Sequence, residues 1–174
     1  MQEKILIIFP SILIALLPLT LISGPFLSDL SVVLIGIFFL INIFKNRDYE
    51  FFNNIFFKIF FVFFIYLLIN SVIKFYDIHN IRSSVTYIRF GLFFMGVYYF
   101  LEKKPNLIKW LFFVFFLSFS ILIIDGYLQY FLKTNFFNIA IEQGRITSLF
   151  RSEHILGSYL SRLFPIFLAI TFYL

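Results

Sequence analysis

Asp125, Arg89 and Arg162 stand inside long apolar runs of the sequence. A charged group at such a place costs about 2.5–3.5 kcal/mol on insertion scales and is a functional candidate by default. Two kinds of chemistry suit these residues. Asp125 can form a structural ion pair with an arginine, Arg89 or Arg162 being the expected partner, with small residues serving only helix packing. Alternatively, arginine forks can grip the oxygens of a phosphate. Spacing sharpens both readings. His154, Ser158 and Arg162 recur at i, i+4 and i+8, so they share one helix face, and Gly157 and Ser161 adjoin it as a small-residue strip that permits close helix approach. Arg82, Thr86 and Arg89 fall on one face of another helix, and Asp125 and Gln129 are one turn apart on a third.

The polar stretch between the apolar runs of Asp125 and Arg162 carries Arg145 and Arg151, followed by Glu153 and His154. Ser152 is placed to cap the helix that follows, whose free N–H groups would favour an anion. The expected binding set is therefore Arg145, Arg151, Arg162, Arg89, Glu153 and His154, for an anionic headgroup such as a lipid-linked phosphate or pyrophosphate. His79 and His154 have no second ligand at metal-binding spacing, and the chain has no cysteine. No metal and no cofactor are expected, and two histidines make no catalytic constellation.

The elements that must position these residues follow from composition. Of the 174 residues 61% are hydrophobic and 13% charged, against about 45–50% and about 25% in soluble domains. A soluble enzyme, a nucleic-acid-binding module and a disordered chain are excluded. A membrane helix takes about 20 residues, so six would use roughly 120 positions. The sequence holds 30 Phe and 28 Ile against three Ala, a bias that AT-rich codons explain without an aromatic binding surface.

Apolar runs predict an all-α integral membrane protein with six spans, at about 5–25, 28–45, 55–75, 84–101, 108–131 and 153–174. The first run is too long for the apolar core of a signal peptide, about 7–15 residues, and Pro25 stands where cleavage would be expected. The chain is still apolar at Leu174, which is expected of the N-terminal part of a longer bundle occupying 1–174.

Lys and Arg near helix ends set orientation. With the N-terminus inside, Lys4, Lys45, Arg47, Lys58, Lys103, Lys104 and Lys109 lie inside, and Lys74, Arg82, Lys133, Arg145 and Arg151 outside. At 1.5 Å per residue, Arg89 is then about 7 Å below Ser84, Asp125 about 9 Å before its helix end, and Arg162 roughly 15 Å deep. All three are expected in the outer half of the bilayer. Residues 132–152 form the longest connection, and Phe136–Ile141 is expected to lie along the outer interface as a short amphipathic segment.

Residues 125–131, Asp-Gly-Tyr-Leu-Gln-Tyr-Phe, followed by Asn135-Phe136-Phe137, resemble the bacterial O-antigen ligase and polymerase family. So do Gly144-Arg145-Ile146-Thr147-Ser148-Leu149-Phe150, Glu153 and Ile155–Arg162. The likeness covers about 40 residues; upstream only hydropathy and span count agree. Ser148 stands where the pattern leads one to expect Gly, and Arg151-Ser152-Glu153-His154 where an acidic or Asn-Pro pattern is commoner.

The resemblance implies a multi-pass glycosyltransferase of the bacterial inner (cytoplasmic) membrane, with its N-terminus cytoplasmic. It would take a glycan from an undecaprenyl-pyrophosphate-linked donor at the periplasmic face and join it to lipid A core or another glycan acceptor. It implies too that the catalytic residues belong to an absent C-terminal half, so that this segment alone is inactive. The expected partners are thus the lipid bilayer, that donor and that acceptor, with no nucleic acid. A lipid-linked oligosaccharide flippase or other polytopic transporter is the alternative, although broken-helix repeats typical of transporters are not evident. A membrane scaffold held by structural ion pairs is the other.

Overall fold

The computed structural model describes residues 2–75, 78–141, 144–150 and 155–174. Helices dominate them: α1 (Gln2–Ser23), α2 (Pro25–Asn46), α3 (Ile55–Phe75), α4 (Ile78–Thr86), α5 (Ile88–Lys103), α6 (Leu107–Leu132) and α7 (Leu156–Tyr173). Six stretches are long and apolar enough to cross a membrane, with α4 and α5 sharing one of them, Asn80–Lys103. The protein is an all-α, multi-pass membrane protein.

Local sequence explains the boundaries. Gly24, at φ 122°, separates α1 from α2, and Pro25 opens α2 with the backbone angle a first helical turn requires. Asn54 Oδ1 accepts from the Phe56 N–H at 2.9 Å at the start of α3. The fourth span begins earlier than residue 84 and is broken at Tyr87. There Tyr87 N donates to Ser84 O at 3.2 Å and Phe90 N to Tyr87 O at 3.1 Å, a tighter three-residue spacing. Thr86 Oγ1 also claims the Ser83 carbonyl at 2.8 Å, competing with the helical ladder as hydroxyl side chains do. The straight-helix spacing that set Arg82, Thr86 and Arg89 on one face is therefore interrupted.

Two compact units divide the chain. The first comprises residues 1–14 and 29–105. In it Pro10 has no N–H to give to the Leu6 carbonyl one turn earlier. Asn42 Nδ2 donates to Leu6 O at 3.0 Å, so α2 repairs the defect that proline leaves in α1. Gly36 and Gly96 let α2 and α5 approach closely; a methyl at Gly96 would lie 2.9 Å from Ile35 Cγ2. Tyr99 is fully buried among Phe39, Phe51 and Phe100, with ring centroids 4.9–5.8 Å away, and its hydroxyl accepts from Asn46 Nδ2 at 3.2 Å.

The second unit comprises residues 15–28 and 106–174. Its core joins Leu111, Phe115, Phe119 and Leu122 of α6 to Phe150 and to Tyr159 and Ile170 of α7. Phe112 and Phe167 stack at 5.3 Å, and the buried Tyr159 hydroxyl donates to Pro18 O at 2.6 Å. A phenol in an apolar core must find such a partner. This packing fixes the end of α6 and the segment that follows it.

Candidate functional site

Asp125 and Gln129 are one turn apart near the C-terminal end of α6 and both are fully buried. Everything that satisfies them comes from the segment after the helix. Asp125 Oδ1 accepts from the Phe136 N–H at 3.0 Å. Its Oδ2 accepts from Ser148 Oγ at 2.7 Å and from Asn135 Nδ2 at 3.4 Å. Gln129 Oε1 accepts from the N–H groups of Thr147 and Ser148 at 2.9 and 2.8 Å. Its amide nitrogen donates to Ile139 O and Thr147 Oγ1, both at 3.3 Å.

Asn135 links the two halves of this clasp. Its Nδ2 donates to Ser148 O at 3.0 Å, and its Oδ1 accepts from the Phe137 and Ile139 N–H groups at 2.9 and 2.8 Å. Asparagine favours such turns because its amide can bond to backbone two residues on. Lys133, at φ 63°, ends α6 in the left-handed region, and Ser148 adopts it too at φ 51°. That conformation costs a non-glycine residue about 1–2 kcal/mol. At Ser148 the hydroxyl bond to Asp125 is what a glycine would lack.

Among the described residues no ion pair to Asp125 forms, and Arg151 lies outside them. Among the described residues its partners are Ser148, Asn135 and the Phe136 N–H, and no arginine is among them. The physical reason is that the segment after α6 folds back and supplies three donors, which meet the carboxylate's demand without a second charge. Arg162 is exposed on α7, one turn from Ser158. Arg89 belongs to the first unit, where its Nη1 lies 3.2 Å from Asp29 Oδ2 and its guanidinium lies 4.9 Å from the Phe90 ring centroid. Asp29 lies in the second turn of α2, which begins at Pro25.

Arg145 is exposed, three residues before Ser148, and pairs with no carboxylate among the described residues. Arg151, Ser152, Glu153 and His154 lie outside the described residues, so the expected helix cap and first-turn site residues fall there, as does the His154 member of the α7 face. Asn135, Thr147 and Ser148 were missed as a group by sequence reasoning. The available signal was the Asp125–Gln129 pair itself: two buried polar groups on one face require donors and acceptors, and the following segment holds Asn135, Thr147 and Ser148 to supply them. No group of His, Asp and Glu residues able to hold a metal occurs among the described residues. Compared with known proteins, the chain matches no family model, no curated protein and no solved structure.

Proposed function

We propose that this chain is the N-terminal membrane portion of an O-antigen ligase- or polymerase-like glycosyltransferase. It would act at the periplasmic face of the bacterial inner membrane on an undecaprenyl-pyrophosphate-linked glycan, with lipid A core or another glycan as acceptor. The observation that carries the reading is the clasp of Asp125, Gln129, Asn135, Thr147 and Ser148. These are polar residues of the stretch that resembles the family, and together they hold the segment bearing Arg145.

Transfer of a glycan from such a carrier leaves charge on a departing pyrophosphate, and a fixed cation stabilises that charge better than a mobile one. Arg145 on a pinned segment suits that role. Loop donors satisfy Asp125, and among the described residues Arg162 pairs with no carboxylate, so it is available to an anion. By their place in the sequence, Arg151, Glu153 and His154 would extend the proposed rim. Arg89, engaged with Asp29, contributes chiefly to the first unit.

The test is glycan transfer by the full-length protein in cells lacking the native enzyme, with membrane abundance measured in parallel. Arg145→Ala and Arg151→Ala should each lower transfer at least tenfold at unchanged abundance, equivalent to about 1.4 kcal/mol of lost transition-state stabilisation. Arg162→Ala should lower transfer or folded yield. Wild-type transfer by both rim variants would remove the donor-site reading and leave a scaffold.

A further inference from the structure

The segment after α6 does not simply leave the helix. Lys133 O accepts from Ile141 N at 3.1 Å, Thr134 pairs with Ala140, and Asn135 N donates to Ile139 O at 3.1 Å. Residues 133–141 thus form a closed turn with Phe136 and Phe137 near its tip. That tip is tied to Asp125, eight positions before Lys133, through the Phe136 N–H at 3.0 Å. Eight helical residues span about 12 Å, so the turn doubles back alongside α6.

The length of α6 sets the depth. Its 26 residues measure about 39 Å, whereas the hydrocarbon core is about 30 Å thick. The excess puts the last turns of α6 at a membrane interface. Tyr127, Tyr130, Phe131 and Leu132 are all exposed there, as aromatic belts at bilayer surfaces are. A turn that folds back by about 12 Å brings its tip to the boundary between headgroups and acyl chains. Phe136 and Phe137 are 68% and 71% exposed at that tip.

An unpaired backbone N–H costs several kcal/mol once it leaves water for hydrocarbon, so a turn at the boundary needs its donors used. The N–H groups of Phe136, Phe137 and Ile139 all have side-chain acceptors, from Asp125 and Asn135. Two large apolar side chains are thereby displayed on a backbone whose donors are already used. We propose that residues 133–141 form a re-entrant interfacial turn that lays Phe136 and Phe137 into bilayer lipid beside the end of α6. The occupant of this exposed pair is lipid, because the patch continues the aromatic belt of a membrane-spanning helix.

The chain has one tryptophan, Trp110, so Trp110→Phe combined with Phe136→Trp or with Phe137→Trp gives single-tryptophan reporters at the tip. Each is reconstituted into phosphatidylethanolamine–phosphatidylglycerol vesicles containing lipids brominated at shallow or deep acyl positions. The expected result is blue-shifted emission, quenched more by shallow than by deep bromines and little by aqueous iodide. Asn135→Ala in the same background should shift the emission to the red and raise iodide quenching. Red emission open to iodide in both reporters would overturn the proposal, since the turn would then project into water. Blue emission untouched by brominated lipid would overturn it equally, since protein would then cover the pair.

Discussion

Ser148 Oγ donates to Asp125 Oδ2 at 2.7 Å across twenty-three positions of sequence, joining the far end of the loop to the interior of α6. The bond explains why a serine stands in a left-handed conformation that glycine adopts most readily. Its hydroxyl is aimed at the one buried carboxylate of this unit among the described residues. The carboxylate in turn holds the start of the loop through Phe136, so one side chain closes both ends of the segment.

Ser148 therefore separates backbone strain from hydrogen bonding. Ser148→Gly loses the hydroxyl but suits φ 51°, whereas Ser148→Ala loses the hydroxyl and keeps the strain. Unfolding in detergent should rank wild type above Gly and Gly above Ala, with the last two separated by about 1 kcal/mol. Equal stability of the two variants would show that the left-handed conformation costs nothing there.

Pro10 and Asn42 make a second separable pair. Asn42→Leu strands the half-buried Leu6 carbonyl and should cost about 1 kcal/mol or more. Pro10→Ala restores an N–H to that carbonyl, so adding it should recover part of the loss. Strict additivity in the double variant would contradict the repair described for α1 and α2.

Orientation is open to direct labelling because the chain has no native cysteine. Glu50 and Arg145 are both exposed. With the N-terminus inside, a membrane-impermeant maleimide should reach Arg145→Cys from the outer side and Glu50→Cys only after the membrane is opened. The reverse pattern would invert the topology.

The spans were legible in the sequence because hydropathy and length alone decide them. The break at Tyr87 was not, because the Thr86 hydroxyl takes a helical carbonyl there, which apolar periodicity does not register. Asp125 and Gln129 were legible as a buried polar pair. Their partners were not, because the usual answer to a carboxylate in a membrane is an arginine, and here a returning loop supplies neutral donors instead. Pro10 and Asn42 were each visible, but their meeting depends on the register between α1 and α2. Asp29 was visible near the start of the second span, but its pairing with Arg89 depends on how α2 and α5 pack.

The most direct test of the account is a pair of double-mutant cycles on unfolding free energy, one between Asp125 and Ser148 and one between Asp125 and Arg162. Alanine at each position should give a coupling of about 1–3 kcal/mol for Asp125 with Ser148 and none resolved for Asp125 with Arg162. Coupling to Arg162 without coupling to Ser148 would contradict the clasp and restore the ion pair.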